Sequence, residues 1–150
     1  MDVWARRATA ADAAALAALD AAARSEAARQ RGGPLFLQRD SHPFDAAALT
    51  DPAALVVVGG LDDVVLGAAV AVVDPLAGGE RLGLLRGLYV DADAREIGIG
   101  EAVMELVLDW CRQEGLTGLD AVALPGDRAT KNFFERFGLT ARAIVVHRAL

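Results

Sequence analysis

The stretch "ALVVVGGLDDVVLGAAVAVVD" limits the folds open to this chain more than any other. Residues 55–73 are apolar enough to raise the question of a membrane span, yet Gly59, Gly60, Asp62, Asp63 and Gly67 break the run. A spanning helix needs about 20 consecutive, mostly apolar residues. Two apolar runs around "LDD" instead predict two β-strands joined by a tight turn. "PLAGGE" supplies the next turn and residues 81–90 a third strand. Successive strands with short connections pair antiparallel.

Around that hairpin the remaining elements fall into order. "VWARRA" is a short strand. Thr9 stands where a helix cap is wanted, and Asp12 falls in the first turn. An alanine-rich helix runs to about Arg29, with Leu16 and Leu19 marking its core side. "RGGPLFLQRDSHPF", with its prolines and glycines, is expected to be a loop, and "DAAALTD" a helical turn. From Ile99 onward, Ala102, Val103, Leu106, Val107 and Trp110 follow the i, i+3, i+4, i+7 pattern of a helix face. Met104, Leu108 and Cys111 add a second apolar stripe, so this helix is expected to be buried on more than one side. Gly115 ends it. "LDAVAL" is a strand, "RATKNFFERF" a short helix ending at Gly138, and "LTARAIVVHRAL" a closing strand that carries His147. The result is one mixed α/β domain over residues 1–150, with antiparallel strands followed by a βαβ crossover.

Composition restricts the partners. The formal net charge is −6, and Lys131 is the sole lysine. Nucleic acid is excluded, because binding a polyanion needs a basic face. The acidity suits a cationic substrate and equally serves solubility. Cys111 is the single cysteine, so no internal disulfide forms. "MDVWARRATAADAAA" lacks the basic-then-apolar order of a signal peptide, and a cytoplasmic location is expected. His42, His147 and Cys111 lie far apart in the sequence and indicate no metal site.

The chemistry gathers at "AREIGIG", residues 94–100, between a strand and the strongest helix. A helix N-terminus offers free N–H groups to an anion, and Gly98 and Gly100 keep side chains out of the approach. Two known phosphate motifs fail. A P-loop needs Lys and then Ser or Thr where Glu101 and Ala102 stand. A dinucleotide fingerprint needs a third small residue where Val103 stands, and Asp91 to Ile97 separate the glycines from the strand.

"LRGLYVDADAREIGIGEAVMELVLDWCRQEGL" resembles the acyl-CoA-binding segment of the GNAT N-acetyltransferases. Its signature is Arg/Gln-x-x-Gly-x-Gly/Ala, with Arg95, Gly98 and Gly100 in the fixed places. "PGDRATKNFFERFGL" resembles the second motif of that family, with Phe133, Glu135 and Gly138 in register. The resemblance is tightest over residues 85–139. It implies a mostly antiparallel sheet splayed at a parallel pair, with a β-bulge at Gly87. It also implies backbone contacts from Leu88 and Val90 to the pantetheine arm, and the Leu88 N–H as oxyanion donor. By the same resemblance Arg95, Glu96, Ile97, Gly98, Ile99, Gly100 and Glu101 hold the pyrophosphate, with Asp127 and Phe134 beside the cofactor. No metal is implied.

The resemblance thus implies transfer of an acyl group, in the first place acetyl from acetyl-CoA, to the primary amine of a small molecule or peptide. A homodimer is common in such a family. Three departures keep a second reading open, that of an acyl-CoA-binding or interaction domain without turnover. Glu96 stands where the family usually has Gly. Asp127 and Thr130 replace the Asn and Ala of the second motif. Phe134 replaces the Tyr that often protonates the departing thiolate, and no Glu precedes the loop on the strand. His42 and Asp40 are the acid or base candidates that remain, in the loop that borders the acceptor pocket in this family.

Overall fold

Alternation along the central hairpin decides the architecture. The computed structural model describes residues 2–150. In β2 (Ala54–Leu61), Leu55 and Val57 join one core cluster while Val56 and Val58 join another. In β3 (Val64–Pro75), Ala69 and Ala71 face the first cluster, and Ala68 and Val70 the second. Successive strand residues point to opposite faces, so a strand apolar at every position must be covered on both sides. That is why the run looked continuous enough to raise the question of a span. No helix among the described residues is long and apolar enough to cross a membrane.

The sheet runs in the order β1 (Val3–Arg7), β2, β3, β4 (Arg81–Val90), β5 (Leu119–Ala121). Neighbours are antiparallel except β4 and β5, which are parallel. One face is covered by α4 (Ile99–Gln113), through Ile99, Val103, Met104, Val107 and Trp110, and by Phe134 of α5 (Arg128–Arg136). The opposite face carries α1 (Ala13–Ala28) through Leu16 and Leu19, and α3 (Ala46–Thr50) through Ala48. Met104 and Cys111 are buried beside the main stripe of α4, as the double stripe predicts. Leaving all these side chains in water instead would cost about 1.5–3 kcal/mol for each large aliphatic group. At the entry to α1, Asp12 accepts from the Thr9 N–H at 2.8 Å and from both terminal nitrogens of Arg6 at 2.7 and 2.9 Å. Asp45 caps α3 by accepting from the N–H groups of Ala47 and Ala48.

Two expectations fail, and the strand expected over residues 119–124 is cut short, ending at Ala121. The segment expected as a loop contains α2 (Gly33–Arg39). Pro34 lies in its first turn, where no intrahelical N–H is needed, so the proline starts a helix there instead of breaking one. The segment expected as a closing strand forms none, and residues 140–150 are exposed throughout. Ile144, Val145 and Val146 are 85%, 90% and 88% exposed. Strand propensity is realised only against a neighbouring strand, and the segment has none among the described residues. Its start is anchored by Arg142, whose guanidinium pairs with Asp120 of β5. His147 accordingly lies in an exposed tail.

Candidate active site

The site begins where the sheet comes apart. β3 pairs Val70 with Gly87 and Ala71 with Leu85, which leaves Arg86 as the extra residue of a bulge. β4 and β5 are paired only from Gly83–Leu119 to Leu85–Ala121. Beyond the bulge β4 stays on β3 and loses β5. The expected splay is present, and the bulge adjoins the expected Gly87.

The released edge of β4 offers main chain to a ligand. The Asp91 N–H donates to Leu66 O at 2.7 Å, so Asp91 and Tyr89 face β3. By alternation Leu88 and Val90 turn their N–H and C=O groups to the open side, where the Val90 carbonyl is already taken by the Arg95 side chain. This edge lines a cleft of about 790 Å³ bounded by α1, the strap at residues 41–44, the first turn of α4, and α5. Of the predicted residues, Leu88, Val90, Arg95, Glu96, Gly100, Glu101, Asp127, Phe134 and His42 line it. Ile97, Gly98, Ile99 and Asp40 do not. Ile97 is turned to solvent, and the Ile99 side chain is buried in the core.

The glycines of "GIG" have separate structural reasons. Gly98, the residue before α4, has φ +101°, a left-handed conformation that side chains resist. A Cβ on Gly100 would stand 3.2 Å from the Phe133 ring, so this glycine lets α5 approach α4. Glu96 also has a positive φ, +68°. The loop therefore asks for glycine at a position where this chain has glutamate. No ion pair forms at Glu96 among the described residues, and its carboxylate stands at the cleft unneutralised.

Arg95 is already engaged. Its Nε donates to Val90 O at 3.0 Å, and its two terminal nitrogens reach the Glu26 carboxylate at 3.2 and 2.9 Å. The guanidinium also lies 5.3 Å from the Tyr89 ring centre. This pairing holds the Glu26 carboxyl below its ordinary range, against the opposing effect of its partial burial. Partial burial, with the charge of Glu26 beside it, pushes the Tyr89 phenol up, so Tyr89 is a protonated donor at neutral pH. Tyr89 is the single tyrosine of the chain, and it lines the cleft.

Other candidates separate. Asp127 caps α5, accepting from the Thr130 N–H at 3.2 Å and from the Thr130 hydroxyl at 2.7 Å. Glu101 pairs with Arg136 at 3.2 Å. Phe134 is 9% exposed and packs edge-on to Phe133. His42 and Asp40 form no dyad: the Asp40 carboxylate lies 3.9 Å from Arg39, and its backbone carbonyl accepts from Arg86. Burial raises the Cys111 thiol, which suits a packing role. No group of three metal-ligating side chains occurs among the described residues. Sequence reading passed over Glu26, Tyr89 and the projection of Arg86. Only the tyrosine, inside "RGLYV", carried a local signal.

A mixed sheet opened at a bulge, with free strand edge leading to a helix N-terminus, is the framework that the family resemblance implies. The sequence matches the Acetyltransferase (GNAT) family over residues 15–139, and the chain belongs to that family. Solved structures agree in fold. A tetramutant of the BH1408 protein from Bacillus halodurans matches with TM-score 0.81 and 19% identity over 100% of both chains. A ribosomal-protein-alanine N-acetyltransferase from Brucella melitensis biovar Abortus 2308 matches with TM-score 0.73 and 20% identity, again over 100% of both. AAC(6')-Iy, in complex with a CoA bisubstrate analogue, matches with TM-score 0.73 and 14% identity over 100% of this chain and 99% of its own. No curated protein matches the sequence significantly.

Proposed function

We propose that the chain is an acyl-CoA-dependent N-acyltransferase that moves acetyl from acetyl-CoA to a primary amine. The observation that carries this reading is the unpaired β4 edge from Leu88 to Val90, opening into a cleft that ends at the first turn of α4. The pantetheine arm lies along that edge as a substitute strand. The pyrophosphate takes the N–H groups at the start of α4, from Glu96 to Glu101. Arg95, held by Glu26, fixes the loop and contributes less net positive charge than an unpaired arginine.

The Leu88 N–H receives the thioester oxygen as the amine nitrogen attacks the carbonyl carbon. The carbon–sulfur bond then breaks, the nitrogen sheds a proton, and the thiolate takes one. Phe134 replaces the family tyrosine and supplies no proton; Tyr89 is the phenol that the cleft does hold. His42 is the imidazole at the acceptor end. Proton-transfer help is worth roughly 10²–10⁴-fold and positioning contributes more, so a site with weak acid–base groups still turns over. The partners are a small-molecule or peptide amine and a second copy of the chain, and the location is cytoplasmic.

The Phe134 side chain also supports the second reading, a domain that binds acyl-CoA without turnover. Release of free thiol from acetyl-CoA, screened over a panel of amines, separates the two. Amine-dependent release establishes the enzyme. A rise in melting temperature with acetyl-CoA and no release with any amine establishes the binder, and no rise at millimolar acetyl-CoA removes both.

A further inference from the structure

Among the described residues, every arginine that lines the cleft is ion-paired except one, at the acceptor end. Arg24 pairs with Asp20 at 2.9 Å, Arg95 with Glu26 at 2.9 Å, and Arg136 with Glu101 at 3.2 Å. Arg86, which lines the same cleft, has no ion pair among the described residues. Its Nη1 makes one long hydrogen bond, 3.4 Å to the Asp40 carbonyl, and its Nε is enclosed without a partner. A guanidinium is charged at every working pH, and an enclosed donor left unmatched is destabilising. A chain that neutralises each of the other cleft arginines leaves this one open.

Position gives the open charge a meaning. Arg86 is the bulge residue, and bulges re-aim side chains beside active sites. It lies next to the strap at residues 41–44, since a Cβ on neighbouring Gly87 would stand 3.0 Å from the Phe44 ring. That places it at the far end of the cleft from the start of α4. Along the strand it precedes Leu88 by two residues, on the order of 7 Å. One small molecule spans that distance with an amine at the thioester end and an anion at the other.

We propose that Arg86 binds a carboxylate of the acceptor, so that the acceptor is an amino acid and not a purely cationic amine. This rests on the acyltransferase reading and reverses the expectation drawn from net charge. A polycationic amine would face Arg86 as a like charge, which selects against it. Because Arg86 lies away from the start of α4, it leaves the binding of acetyl-CoA to other groups.

The test needs no turnover. Melting temperature is measured for the CoA-saturated protein and for the protein alone, with each of the common amino acids and with the matching amides, at millimolar concentration. At least one amino acid should raise the melting temperature while its amide does not. Arg86→Gln should remove that difference, and Arg86→Lys should restore part of it. In turnover, the preferred amino acid should exceed its amide at least tenfold in kcat/KM. Amides equal to acids, or a preference that survives in Arg86→Gln, would overturn the assignment. Failure of acetyl-CoA to shift the melting temperature would instead strike the acyltransferase reading.

Discussion

Arg95 and Glu26, 69 residues apart in sequence, form a two-bond ion pair that ties α1 to the loop between β4 and α4. The pair spans the cleft and sets how far that loop stands from α1.

Its pH dependence follows from the depressed Glu26 carboxyl. A depressed folded value means stability that is present above the unfolded value, about 4.3 for Glu, and is lost as pH falls through the folded value. The pair is half-exposed, and such pairs contribute about 0–1 kcal/mol. Glu26→Gln should therefore melt slightly below the parent at pH 7, and the two curves should converge below pH 4. It should also tighten acetyl-CoA binding, because Arg95 is released. Weaker binding in Glu26→Gln would mean that the ordered loop matters more than the freed charge.

Glu96→Gly should do two things that can be measured separately. The left-handed backbone at Glu96 costs about 1–2 kcal/mol in a residue with a side chain, so the glycine variant should gain stability in urea melts. Removing the carboxylate should also tighten acetyl-CoA binding, more at low salt than at high. A stability gain with salt-independent affinity would show that the side chain points away from the phosphates.

Phe134→Tyr tests the proposal that the phenylalanine stands in place of a proton donor. The ring lines the cleft and packs on Phe133, so an added hydroxyl points either at the thioester or into the core. At the thioester it should raise kcat, toward the lower end of the roughly 10²–10⁴-fold range for general acids. In the core it would cost about 1–3 kcal/mol as an unmatched hydroxyl and leave kcat unchanged. Tyr89→Phe is the complement: a fall in kcat with the Phe134 site intact would assign the proton to Tyr89.

Much of the fold was legible because it is written in local periodicity. The two stripes of α4 and the hairpin of β2 and β3 follow from residues close in sequence, whereas the bulge beside Gly87 was expected from the family resemblance. The start of α2 was misread because proline stops a helix from within and favours its first turn. The tail was misread because Ala143 to Val146 look like a strand whether or not an edge is available to them. The Arg95–Glu26 pair was invisible because nothing in "AREIGIG" specifies a partner on the first helix. Gly100 was legible as a position kept bare, but what occupies its open side includes the Phe133 ring, a neighbour from another element.

The parallel pairing of β4 with β5 is three residues long, whereas β4 is paired with β3 along nearly its whole length. The molecule is thus an antiparallel block with a smaller unit, β5 and α5, attached at its margin. Releasing that unit breaks the short pairing, the contact of Phe133 with Gly100, the Glu101–Arg136 pair and the seat of Phe134 in the core, yet leaves the ladders of β1 to β4 paired, and partial openings of this kind cost less than global unfolding. Amide exchange should accordingly be faster at Asp120 and Ala121 than at Val57 or Val70. The wall of the cleft that carries Phe134 is then its softest part, and cofactor bound against that wall would slow exchange there first.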